Sequence, residues 1–180
     1  MIQRIQNLSL VLERMLVLYE RVLDLLDRER TQLILLDFEN LYPVMREKDE
    51  ILAALRALDK DRLRIQDQCA LIMGQDPLEI TLRKIGELLI EEGASSETLG
   101  RHLLNLRLRM AAVIEVLRER VGRNQRFIEK SVSSLQSVAG HLSRSVTGKA
   151  SRKSKTGTYT GKAKLADEHE QAGSIVEKRL

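Results

Sequence analysis

The sequence predicts an all-α protein: an elongated antiparallel helical hairpin or bundle of coiled-coil-like helices, followed by a disordered C-terminal tail. Three observations carry this. The 180 residues are 43% apolar and 31% charged but only 3% aromatic, with no Trp and two Pro, and Leu, Arg and Glu dominate, a profile of long helices rather than sheets. Apolar residues recur at intervals of three and four through most of residues 1–146, which is the helical period. Beyond Val146 Gly, Ser, Thr and Lys replace them and the period is lost.

In the first helix, placed at about 2–38, Ile5, Leu8, Leu12, Met15, Tyr19, Val22, Leu26, Leu33 and Leu36 form a heptad seam that only Glu29 interrupts. Val11, Leu18 and Leu25 add a second row beside it, and so broad a stripe requires more than one partner helix. Pro43 disfavours helical geometry at Tyr42 and suits the first turn of a new helix, which predicts a break or kink at 38–43 and a second helix over about 43–73. Its seam runs Leu41, Val44, Ile51, Leu55, Leu58, Ile65, Cys69 and Ile72, with Lys48 and Arg62 at the two polar seam positions and Gly74 as the stop. A short third helix over about 77–91 opens on Asp76 as N-cap with Pro77 at the first helical position, and closes at Gly93. The last helix covers about 96–145, and its first stripe is Leu99, Leu103, Leu106, Met110, Val113 and Leu117.

A new row then takes over in the last helix. Ile114, Val121, Ile128, Leu135 and Leu142 stand seven apart, flanked by Leu117 and Val138. The consecutive four-residue steps 113 to 117 to 121 are a stutter, which turns the apolar face away from the earlier seam. Companion positions are Asn124, Ser131 and Ser134, and Ser recurs at 133, 137 and 143. Serine's modest helix propensity makes this stretch a poor permanent core. Two readings stand: Ile128, Leu135, Val138 and Leu142 pack back on the first helix, as helical apolar rows do, or they dock the amphipathic segment of a partner and are exposed in the free protein.

Catalytic chemistry finds no constellation. His102, His141 and His169 lack a second ligand at helical spacing, and the acids Glu13, Glu20, Asp24 and Asp27 interleave with Arg14, Arg21 and Arg28 as on an ordinary solvated helix face. Cys69 is the single cysteine and lies in an apolar series, so a packed thiol in a reducing cytosol is expected. No signal-peptide pattern and no run of ~18 uncharged apolar residues is present, which points to a cytoplasmic protein with no membrane insertion. Residues 131–166 hold seven Lys or Arg and no acid, within a chain of net charge +4. Gly157 to Lys162 imitates a phosphate loop, but only three residues separate the glycines, Ala163 replaces the metal-binding hydroxyl and no strand precedes it. Charge and Tyr159 together allow single-stranded nucleic acid binding by the tail, although the basic footprint is weak.

The order of four segments resembles the FlgN family of flagellar export chaperones: "YERVLDLLDRERTQL", "EKDEILAALRALDKDR", "NQRFIEKSVSSLQSVAGHL" and, after a gap, "TYTGK". The resemblance runs up to Gly161. It implies an all-helical, non-enzymatic chaperone without cofactor, serving flagellar type III secretion. Such a chaperone binds the C-terminal helices of hook-associated proteins, prevents their premature assembly and brings them to the membrane export gate. By the same resemblance, residues 1–146 are the chaperone domain and the helix from Asn124 to Leu142 is the substrate-binding region, with Asn124, Ile128, Leu135, Val138 and Leu142 as its contacts. Tyr159 then corresponds to the aromatic that docks at the gate, within a flexible basic tail over 147–180. Two features depart from the family pattern: a long basic insertion in the tail, and "LADEHEQAGSIVEKRL" beyond the end of the likeness, with scope for a short terminal helix. A monomer or weak dimer is expected. The competing readings are a coiled-coil, homo-oligomeric scaffold and, less favoured, a nucleic-acid binder.

Overall fold

The computed structural model describes residues 1–147, of which the side chains at 94, 95 and 142–147 are excepted. The described chain is four helices: α1 (Ile2–Leu35), α2 (Phe38–Ile72), α3 (Leu82–Glu91) and α4 (Ala94–Thr147). The expected tail, its terminal helix and Tyr159 lie outside the described residues.

α1 ends because Leu36 turns into the left-handed region, at φ 56° and ψ 30°, a conformation that costs a non-glycine residue ~1 kcal/mol. There the N–H of Asp37 donates to the Gln32 carbonyl at 3.0 Å. Asp37 then caps α2, its Oδ1 accepting from the N–H of Asn40 at 3.1 Å and its Oδ2 from the Asn40 side chain at 2.7 Å. These bonds stabilise the carboxylate and hold the Asp37 carboxyl below its ordinary range. The turn therefore falls at Leu36–Asp37, ahead of the break expected at 38–43. Pro43 is accommodated inside α2, where Glu39, whose carbonyl it cannot bond, is exposed to solvent.

α3 also starts later than the sequence suggests. Asp76 caps only a turn, accepting from the N–H of Leu78 at 2.8 Å, and Thr81 caps the helix proper, accepting from the N–H of Lys84 at 3.1 Å. Between them the carbonyl of the buried Ile80 accepts from Gln66 Nε2 at 2.8 Å. Gln66 in turn accepts from Arg62 Nη1 at 2.9 Å, and Arg62 Nε donates to Asp59 at 2.8 Å. The polar seam position at Arg62 is thus fully buried and built into the α2–α3 junction.

The cross-links between helices give the topology. α2 returns antiparallel to α1, with Arg4 on Gln68 at one end and Arg21 on Glu47 near the turn. α4 runs parallel to α1: Glu13 meets His102, Glu20 meets Arg109 and Asp27 meets Arg120, in ascending order. α3 is the short return between them, antiparallel to α4. Ser96 Oγ donates to the Leu89 carbonyl at 2.9 Å, and the backbones approach so closely at Gly86 and Gly100 that a Cβ on Gly100 would stand 2.7 Å from the Gly86 carbonyl oxygen.

α1 lies between α2 and α4, which accounts for its two apolar rows. Its Ile5, Leu8, Leu12, Met15 and Leu25 are fully buried among Val44, Ile51, Leu55 and Cys69 of α2, Ile85 and Leu89 of α3, and Leu103, Leu106 and Met110 of α4. Cys69 is a packed thiol whose ionisation burial opposes. Tyr19 packs against this core, and desolvation, reinforced by Asp59 and opposed by Arg62, pushes its pKa up to about 12.

Candidate functional site: the α4 overhang

α4 has 54 residues against 34 in α1, and because the two run parallel the difference protrudes at one end. The register is set by side chains in sequence. After the Asp27–Arg120 pair, Asn124 is buried and its Nδ2 donates to the Leu26 carbonyl at 3.0 Å and to Glu29 Oε2 at 3.4 Å. Glu29 Oε1 accepts from Lys48 Nζ at 2.5 Å, so one cluster ties α1, α2 and α4 together. One turn on, the Arg30 guanidinium lies 5.7 Å from the centroid of the Phe127 ring. α1 stops five residues later. The remainder of α4, from about residue 132 to Thr147, passes beyond the hairpin for roughly 24 Å at ~1.5 Å per residue.

The heptad row that begins at Ile114 records this departure. Ile114 is 7% exposed, Ile128 39% and Leu135 67%. Val121, Val132 and Val138 are exposed as well, and Leu142 continues the row within α4, its side chain being one of those excepted above. The row starts as core and becomes surface without a change in its spacing, because the helix it faced has ended. Packing back on α1 therefore applies to Ile114 and fails for Leu135 and Val138, while Ile128, beside the last turn of α1, is partly exposed.

Asn124 is placed differently from the other sequence candidates. It is buried, its amide is engaged by α1, and it closes the packed part of α4 rather than joining the exposed row. Sequence reasoning also missed a neighbouring surface. Ile34, Leu35, Leu36, Phe38, Tyr42 and Met45 are all exposed at the α1–α2 turn, beside the point where α4 leaves the bundle. Phe38, Tyr42 and Met45 stand at helical spacing, and this second row was the available signal.

Arg120 is paired with Asp27 and Arg123 with Glu119; the exposed Arg126 and Lys130, two residues either side of Ile128, stand on the face of α4 opposite the apolar row. The apolar strip is narrow: Ser134 is exposed beside it, and Ser133 and Ser137 are exposed on the opposite side of the helix. What the overhang can do chemically is bind. It offers an exposed helix face with discrete aliphatic anchors, the kind of surface that amphipathic helices use.

Other features do not compete with it. His102 Nε2 lies 3.0 Å from Glu13 on the surface, and among the described residues no group of three His, Cys, Asp or Glu side chains is placed to hold a metal. A polar groove of about 340 Å³ lies at the α2–α3 junction, lined by residues including Asp76, Glu79, Arg83 and Glu87, and there Arg83 and Glu87 pair with each other at 2.7 Å. No described helix is long and apolar enough to cross a membrane.

A family profile described as FlgN protein matches residues 1–165. Comparison with curated proteins and with solved structures finds no match. The matched span takes in all four helices, the overhang and Tyr159. The chain belongs to the FlgN family, a family of flagellar export chaperones.

Proposed function

We propose that this chaperone binds the C-terminal helices of hook-associated proteins on the α4 overhang, through Ile128, Leu135, Val138 and Leu142. It thereby keeps them from assembling early and delivers them to the membrane export gate, with Tyr159 in the tail as the gate contact. It acts in the cytoplasm as a monomer or weak dimer, without catalysis. The observation that supports this reading is the exposure of Ile128 and Leu135 on the same heptad row whose first member, Ile114, is core. A substrate helix laid along that row continues the bundle where α1 stops.

The energetics suit a reversible carrier. Covering about 400 Å² of apolar surface yields on the order of 10 kcal/mol at ~25 cal/mol per Å². Lost translation, rotation and chain ordering offset much of that, leaving affinity in a range from which an export machine can strip the cargo.

The test is co-purification with hook-associated proteins. Leu135→Asp places a charge in the centre of the row and is expected to weaken binding at least tenfold while leaving the helical content of the bundle intact. Tyr159→Ala is expected to spare binding and reduce export. Unchanged substrate binding by Leu135→Asp overturns the assignment.

A further inference from the structure

The fourth position of the bundle is filled over only part of its length. α2 and α4 both pack along α1 and scarcely touch each other, while α3 packs on α4 and touches α2. Gly86 beside Gly100 sets the register of α3 on α4, so Leu82, where α3 begins, stands beside about residue 106. From there to the α1–α2 turn no described helix continues the α3 column, although α1, α2 and α4 all run on. Two side chains mark the side of α2 that looks into this column: Lys48, bonded to the Glu29 that Asn124 of α4 also bonds, and Gln66, bonded to the Ile80 carbonyl. Leu52, Met45 and Phe38 stand at intervals of seven on that side, within about 80° of Lys48 around the helix. Ile114, Val121 and Ile128 stand at intervals of seven on the facing side of α4, within about 80° of Gly100. Both rows open to solvent toward the turn: Leu52 is partly buried and Ile114 buried, whereas Met45, Phe38, Val121 and Ile128 are exposed.

We infer that the groove between these two heptad rows seats one amphipathic helix of the cargo, in line with α3 and continuing onto Leu135 of the overhang. Heptad rows on two neighbouring helices are two walls of a bundle, and a further helix with its own seven-residue apolar repeat is the shape that fits between them. The molecule already contains the example. α3 sits in the same column higher up, with Leu82, Ile85 and Leu89 buried in it. The α4 wall is also continuous with the overhang row, since Leu135 follows Ile128 at the same interval. From Ile114 to Leu135 is about 32 Å, the length of roughly 21 residues of helix. The occupant is therefore a helix of five or six turns, on the order of this length, with aliphatic side chains on one face and charged ones outward. Met45 and Phe38, remote from α4 in sequence, become cargo contacts, so the cargo is held between two helices rather than laid on one. The identity of the occupant as cargo, and only that, rests on the proposed function above.

The test uses the full chain, hydrogen peroxide and a fluorescent synthetic peptide of a hook-associated protein's C-terminal helix. Met45 and Met1 are comparably exposed, at 43% and 38%, and Met1 lies at the opposite end of the bundle. Saturating peptide is expected to slow sulfoxide formation at Met45 by about fivefold or more and to leave Met1 unchanged, as read by mass spectrometry of a digest. Phe38→Asp and Met45→Asp are each expected to weaken peptide binding ~10-fold, measured by fluorescence anisotropy. Val17→Asp, exposed on the outer face of α1, is expected to bind within twofold of the parent. A peptide that binds, and loses affinity in Leu135→Asp, yet leaves Met45 oxidation within twofold of the free rate overturns the groove and leaves the proposed function standing. A peptide that does not bind the parent overturns the proposed function and the cargo assignment with it. Met45 oxidation that slows as protein concentration rises without peptide, with a dimer seen by sedimentation, gives the groove to a second copy and also overturns the inference.

Discussion

Replacing Lys48 by Met should destabilise the bundle through a charge left behind rather than through lost packing. Lys48 Nζ stands 2.5 Å from Glu29 Oε1, and the two side chains are only 12% and 9% exposed. Removing one partner of a fully buried pair costs about 3–5 kcal/mol, most of it the penalty of an uncompensated ion. Here the residual exposure admits some solvent, and Asn124 Nδ2 still reaches Glu29 Oε2 at 3.4 Å. Both reduce the figure to about 2–3 kcal/mol. For a protein of this length that corresponds to a Tm lower by about 5–10 °C. Substituting both partners, Glu29→Leu with Lys48→Met, removes the orphaned charge along with the pair. The double variant should lie well above the single one, and Asn124 keeps its bond to the Leu26 carbonyl. Urea denaturation followed by circular dichroism at the helix band reads all three proteins. A single variant within 0.5 kcal/mol of the parent, or a double variant as unstable as the sum of the two singles, refutes the reasoning. The exposed pair of Arg46 with Glu50, 3.2 Å apart, is the control, and its removal should cost well under 1 kcal/mol.

The helix crossing at Gly86 and Gly100 makes a graded prediction. A Cβ at Gly100 meets the Gly86 carbonyl oxygen at 2.7 Å, a backbone atom that cannot step aside, so Gly100→Ala should cost about 2–3 kcal/mol in urea denaturation. A Cβ at Gly86 comes closest to the side chain of Leu104, at 2.7 Å, which can rotate, and the gain of ~1 kcal/mol in helix propensity offsets much of the strain. Tyr19 titrates late. An absorbance titration should show one of the three tyrosines ionising near pH 12 in the folded protein. Its pKa is raised by folding, so the folded state binds more protons than the unfolded chain between about pH 10 and 12 and stability falls as pH rises through that window. A Tyr19→Phe variant should lose that slope.

Most of the bundle was legible because its cause is periodic. The α1 seam required a wide stripe, and α1 does sit between two partners; the seam positions Lys48 and Arg62 are polar because each closes a buried junction. The turns were less legible because they are decided by competition among local groups. Asp37 and Pro43 both mark a helix start, and Asp37 prevails because its carboxylate bonds Asn40 twice after Leu36 has turned left-handed. Asp76 and Thr81 compete in the same way. There the tertiary bond from Gln66 to the Ile80 carbonyl holds the segment between them out of the helix. What periodicity cannot contain is the end of a neighbouring helix. Ile114 and Leu135 are alike in spacing and type, and only the shared register of α1 and α4 separates core from surface.

That separation has a consequence for how stability and binding are coupled. The last stitch between α4 and the hairpin is the Glu29–Lys48–Asn124 cluster, with Arg30 over Phe127 just beyond it. The packed core lies on one side of this line, and the exposed anchors lie on the other. If the proposed function holds, a substitution at Leu135 should change binding with little effect on the fold, while a substitution at Lys48 should loosen the fold itself. The arrangement also sets a limit on the apolar strip. A row that stays in water whenever no partner is present must not become a dimer interface. The exposed Ser134 borders the row and restricts its width. Widening the strip with leucines would raise affinity for an amphipathic helix and for a second copy alike, so the underfilled composition is what keeps an exposed row selective.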